Sequence, residues 1–126
     1  MQFLQPPGWP RPKGYACGVA ASGRQVHVSG MVGWDAAGVF RNDDFVAQAR
    51  QALENIVAVL REAGAGPEHI VRMTWYVLDK RDYLDAGAAL GEAYRAVIGR
   101  HYPAMSALQV AGLMEERARV EIEVTA

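Results

Sequence analysis

The stretch Ile70-Val71-Arg72-Met73-Thr74-Trp75-Tyr76-Val77-Leu78 decides the fold. It is rich in β-branched and aromatic residues and reads as apolar on both faces. Val71, Met73, Trp75 and Val77 point one way and Ile70, Tyr76 and Leu78 the other, which predicts a central strand. Helical patterns flank it. Upstream, from Asp44 to Ala63, the apolar residues Phe45, Ala49, Leu53, Ile56, Val57 and Leu60 recur at three- and four-residue spacing, between Asp43-Asp44 and Gly64. Downstream, Asp79 is placed to cap a second helix from about Arg81 to Ile98, with Asp82 in its first turn.

Outside these helices the chain reads as strands. Tyr15 to Ala21 and the alternating Gln25 to Val32 predict an opening hairpin around Ser22-Gly23-Arg24. Val39-Phe40 suits a short strand, and Ser106 to Val110 and Arg117 to Val124 are two more, joined by a turn at Gly112 to Glu116. This order predicts one α+β domain over residues 1–126, a six-stranded mixed sheet with two helices on one face. Residues 1–13 hold four of the six prolines and are expected as an extended N-terminal arm. Two helices cover one sheet face only, so a strand apolar on both sides predicts packing against further copies of the chain, a homo-oligomer.

Composition narrows the functional classes. At 126 residues, 51% hydrophobic and 21% charged, the chain is too apolar for a disordered protein. Thirteen basic residues against fourteen acidic ones leave a formal charge of −1, which gives no electrostatic reason to expect nucleic acid or an anionic membrane as partner. No stretch approaches the ~18 apolar residues of a membrane span, and the first residues carry no secretory pattern. The lone Cys17 can form no intrachain disulfide, and a cytoplasmic location is expected.

Most familiar site chemistries are missing from the sequence. It has no glycine-rich phosphate loop, no His-Glu-x-x-His, no Cys-x-x-Cys and no Gly-x-Ser-x-Gly elbow. His27, His69 and His101 are too scattered to suggest a metal site, and no cofactor is implied. Cys17, among small residues, reads as a buried structural thiol, Trp75 as core, and Trp34, in a turn, as a candidate ligand contact. In Arg119-Val120-Glu121-Ile122-Glu123-Val124 the two carboxylates share one strand face. That face is either solvated or covered by another copy, and in the second case a carboxylate there is placed for general acid/base work.

Gly14-Tyr15, Val28-Ser29-Gly30, Gln48 to Asn55, Val77-Leu78-Asp79, Tyr102-Pro103-Ala104-x-Ser106 and Val120-Glu121-Ile122-Glu123 occur in an order and spacing that resemble the RidA family, also called YjgF or L-PSP. The resemblance runs along nearly the whole chain. It implies a chorismate mutase-like fold and a homotrimer whose sheets form an inner barrel, with small-molecule clefts between subunits. It also implies a hydrolytic deaminase of reactive enamines and imines that needs no cofactor. Carried over by position, it makes Glu121 the catalytic carboxylate. Tyr15, Ser29 and Gly30 become cleft residues, Gly87 stands near the position of a cleft asparagine that this chain lacks, and Ala107 follows Ser106 at the mouth.

Met105 stands where the resemblance places an arginine that grips a substrate carboxylate. A thioether offers neither charge nor donor. Either the chain is a deaminase with altered substrate preference, bound through the Gly30 amide, Tyr15, Trp34 or a cation such as Arg41, Arg72 or Arg100, or it is a non-catalytic small-molecule-binding or regulatory trimer. The endoribonuclease activity attributed to part of the family suits the near-neutral charge less well.

Overall fold

A computed structural model describes all residues, 1–126. In chain order the elements are β1 (Gln2–Leu4), β2 (Gly18–Ala20), β3 (His27–Val32), α1 (Phe45–Glu62), β4 (Arg72–Val77), α2 (Lys80–Asp85), α3 (Gly87–Val97), β5 (Ala104–Gln109) and β6 (Val120–Thr125), with a short 3-10 turn at Pro67–His69. The architecture is α+β, as the element order implies. The strands divide into a four-stranded sheet of order β3-β6-β4-β5 and a separate antiparallel pair, β1-β2. β4 is central, antiparallel to β6 and parallel to β5.

The helix layer forms because α1 carries a continuous apolar stripe. Asp44 caps it, its Oδ2 accepting from the Ala47 N–H at 2.9 Å. Ala49, Ala52, Leu53, Ile56 and Leu60 are fully buried against the sheet, where Met73, Trp75, Val77, Val120, Ile122 and Val124 meet them. Burying each of the large aliphatic side chains is worth ~1.5–3 kcal/mol. Gln48 is the polar exception. It is 1% exposed, and it spans the layer by donating Nε2 to the carbonyls of Asn42 (3.0 Å) and Arg117 (2.9 Å) and accepting at Oε1 from the Arg119 N–H (2.8 Å). A Cβ on Gly33 would lie 2.6 Å from Gln48 Cβ, so only glycine lets β3 approach the helix here.

Four expectations change. The opening hairpin does not form: β2 pairs with β1, in register Gln2↔Ala20 and Leu4↔Gly18, because the extended arm folds back on itself and leaves β3 to pair with β6. The sheet consequently has four strands rather than six, and Val39-Phe40 contributes only a bridge between Phe40 and Trp34. The second helix is broken into α2 and α3 because Gly87 takes φ +56, a left-handed conformation that interrupts the helical run. Lastly, β4 is not apolar on both faces. Ile70 precedes the strand and joins the core, while the face turned away from the helices presents Arg72, Thr74 and Tyr76. The uncovered face is mainly polar, with Leu108 as its one large exposed apolar side chain, and the argument for self-association from an apolar sheet face lapses.

Replacing Gln48 with leucine should lower unfolding stability by ~2–4 kcal/mol in urea denaturation, since backbone groups at Asn42, Arg117 and Arg119 would lose their buried partner. A loss below ~1 kcal/mol would show that the layer does not depend on this side chain.

Candidate functional site

The pleat sorts the candidate residues onto two sides of the sheet. Glu121 lies opposite Tyr76, and Glu123 opposite Thr74, on the uncovered face. Met105 lies opposite Met73, and Ala107 opposite Trp75, on the face that carries the helices. Residue 105 and residue 121 therefore belong to different surfaces of one chain.

On the uncovered face the two carboxylates differ in environment. Glu123 Oε1 accepts from the Tyr76 hydroxyl at 2.7 Å, and that bond raises the Tyr76 phenol above its ordinary range. Glu121 has no side-chain hydrogen bond or ion pair, and it packs against Gly30. A Cβ placed there would sit within van der Waals overlap of the carboxylate, 2.7 Å from its Cδ. Ser29 and Gly30 form a bulge: Val28 pairs with Val124 and Met31 with Ile122, so two residues of β3 oppose Glu123 alone. The bulge takes both residues out of the regular ladder and sets them beside a free carboxylate. Ser29 also lines a hollow of about 500 Å³ with His27, Arg72, Thr74 and Glu123.

On the helix side, Met105 and Gly87 share a cleft of about 370 Å³ with Trp75, Tyr83, Leu90 and Tyr102. The rings are ordered against one another. Trp75 meets Tyr83 edge to face at 5.7 Å, and Tyr94 stacks on Tyr102 at 5.5 Å, with the Tyr94 hydroxyl donating to the His101 carbonyl at 2.6 Å. Burial raises the Tyr83 and Tyr94 phenols above the normal range, Tyr94 the more strongly. Tyr15 lines an adjoining hollow under the N-terminal arm, which shares Gly14 and Tyr102 with the cleft.

The remaining candidates fall elsewhere. Trp34 packs on Phe40 at 5.9 Å and lines neither face of this arrangement. Cys17 is exposed rather than buried, its thiol donating to Gln5 Oε1 at 3.3 Å, because the β1-β2 pair lies at the periphery instead of in the sheet. Each histidine has its own local contact: His69 Nδ1 accepts from the Gly66 N–H, His101 Nε2 meets the Ile70 carbonyl, and His27 approaches Thr125. No three metal-ligating side chains converge. Arg41 is held by Asp35 at 2.7 Å, Arg72 lies on the uncovered face, and Arg100 lines the hollow under the arm. One cleft cation escaped the sequence reading: Arg95, on α3, lines the cleft with no ion pair. Its only sequence signal is the four-residue spacing Gly87, Gly91, Arg95, which places all three on one helix face.

Comparison with known proteins gives a consistent family picture. The sequence model of the family described as Endoribonuclease L-PSP matches residues 10–126. A goat (Capra hircus) protein named 2-iminobutanoate/2-iminopropanoate deaminase is 35% identical over 104 residues, 82% of this chain and 72% of that protein. The crystal structure of a Rid-family protein of unknown function from Yersinia pestis superposes with a TM-score of 0.84 at 31% identity, covering 99% of this chain and 96% of the other. RidA from a Psychrobacter species gives 0.69 at 33% identity, covering 99% and 98%. No helix is long and apolar enough to cross a membrane.

The tyrosines of the cleft and sheet set an alkaline limit. With Tyr76, Tyr83 and Tyr94 raised above 10.0, the folded state holds their protons where the unfolded state releases them. Stability is then whole below pH ~10 and declines as pH climbs through the folded-state values. Urea denaturation at about pH 9 and about pH 11 should show that fall, and Tyr94→Phe should reduce it; an unchanged midpoint would contradict the burial of Tyr83 and Tyr94 and the Tyr76–Glu123 bond.

Proposed function

The chain belongs to the RidA/YjgF/L-PSP family and has its chorismate mutase-like fold; on that premise we propose that it hydrolyses reactive enamines or imines in a cleft completed by two copies of the chain. The observation that carries this reading is the pairing of an unengaged carboxylate, Glu121, with a bulged Ser29-Gly30 on the uncovered face, while its neighbour Glu123 is already bound by Tyr76. The Met105, Gly87 and Tyr15 surface lies on the other side of the same sheet. In a ring of copies, here a homotrimer, the first surface of one subunit faces the second surface of its neighbour.

The chemistry needs little apparatus. Glu121 orients a water and takes its proton as the oxygen adds to the imine carbon. The proton is handed to nitrogen, the carbon–nitrogen bond of the resulting carbinolamine breaks, ammonia leaves, and a carbonyl remains. Water and imine are consumed, ammonia and ketone are formed, and no electrons change hands. Bulged backbone at Gly30 is suited to hydrogen-bond the substrate's polar end.

Met105 alters what the cleft accepts. Half-buried against the core, it provides an apolar wall where the family pattern has an arginine, so a small imino acid loses its charge-assisted grip. A non-catalytic binding role is the reading that Met105 favours, and the same assay separates it from catalysis.

The test generates 2-aminoacrylate from serine with a dehydratase and follows its loss by semicarbazide trapping. The wild type should accelerate hydrolysis only weakly, and Met105→Arg should raise the rate about tenfold or more. Glu121→Gln in that background should return it to the uncatalysed level, a loss of about 10²-fold or more. Wild-type activity already insensitive to Met105→Arg would contradict the altered preference. Absence of turnover for every small and aromatic imine tried would leave the binding protein.

A further inference from the structure

The cleft beneath α3 combines an aromatic lining with one free cation, and we propose that it selects imino acids bearing an aromatic ring, with Arg95 holding their carboxylate. This rests on the reading of the cleft as the substrate site and adds its substrate class and its anion-binding residue.

Three observations carry the assignment. Arg95 is the one charged residue lining the cleft, and it has no carboxylate partner and no side-chain hydrogen bond there. Its position is set by the helix. Gly87, Gly91 and Arg95 lie on one face, and helical side chains lean toward the N-terminus, so the guanidinium folds back over Gly91. A Cβ on Gly91 would stand 3.1 Å from Arg95 Nη1, so the guanidinium lies close over Gly91. A fork of donors therefore sits at the wall of the cleft, without a counter-ion, in the geometry that suits a carboxylate.

The rest of the wall is built for a ring. Trp75, Tyr83, Leu90, Tyr102 and Met105 supply flat or flexible apolar surface, and about 370 Å³ is enough for a phenyl-sized ligand. The indole Nε1 of Trp75 is the one buried side-chain polar atom in the protein without a hydrogen-bond partner. Buried indole N–H groups normally find one. Met105 fits the same purpose, since a thioether packs well against an aromatic edge where an arginine would place charge.

Calorimetric titration of the intact oligomer with three stable probes tests this directly. Phenylpyruvate has the ring and the carboxylate, pyruvate lacks the ring, and phenylacetone lacks the carboxylate. Phenylpyruvate should bind at least tenfold more tightly than either of the others. Arg95→Gln should weaken phenylpyruvate by about tenfold and leave phenylacetone unchanged, with Arg95→Lys between. Gly91→Val, which crowds the guanidinium, should weaken phenylpyruvate likewise and serves if the arginine variant folds poorly. The proposal is overturned if Arg95→Gln binds phenylpyruvate normally, if pyruvate binds as well, or if none of the probes binds. Should the binding pattern hold while no imine is turned over, the deaminase reading fails and the ligand class stands. Should pyruvate imine be hydrolysed at full rate by Arg95→Gln, the deaminase reading stands and Arg95 falls.

Discussion

The pleat of a single sheet constrains everything else in this protein. Side chains alternate along β5 and β6, one face is sealed by α1 and α3, and so Met105 and Glu121 cannot meet within one chain. No local adjustment removes the separation. Slipping β6 by one residue would turn Glu121 toward the helices but would expel Val120, Ile122 and Val124 from the core, which are at most 4% exposed. In the proposed reaction, a site that uses both residues must take one from each of two copies, so the association we propose serves chemistry rather than the hiding of apolar surface.

The polar character of the uncovered face supports that view from another direction. Arg72, Thr74, Tyr76, Glu121, Glu123 and Thr125 share it, and such a face gains little from association through the hydrophobic effect. Apart from Leu108, which lies on this face opposite Tyr76, the large exposed apolar side chains lie mainly elsewhere, in Phe3, Leu4 and Trp9 of the N-terminal arm, in Leu84 of α2, and in the cleft walls. In the proposed reading, aromatic surface at the cleft with Arg95 as its one cation suits a larger and less polar ligand.

How much of this was legible in the sequence depends on the length of the pattern. The apolar stripe of α1 repeats over five turns, and the alternation of β6 repeats over six residues, so both were readable, as were the caps at Asp44 and Asp79. The break at Gly87 was not, because one glycine in a helical run carries no sign of its φ. The β1-β2 pair escaped because three-residue strands are shorter than any periodicity test. The strand pattern alone left Glu121 and Glu123 equivalent; the family resemblance pointed to Glu121, and the Tyr76 hydroxyl bound to Glu123 gives the physical difference. Arg95 looked like any exposed helical arginine, since what distinguishes it is its place as the one charged residue of the cleft lining, folded back over Gly91.

Subunit complementation tests the central claim most directly. Glu121→Gln disables one surface and Gly91→Trp fills the cleft on the other, and each variant alone should be inactive on an aromatic imino acid. When the two are co-expressed and assembled together, a mixed ring brings an intact Glu121 surface against an intact cleft, and deaminase activity should return. Activity that stays absent in demonstrably mixed oligomers would contradict a site shared between copies and would place the chemistry within a single chain.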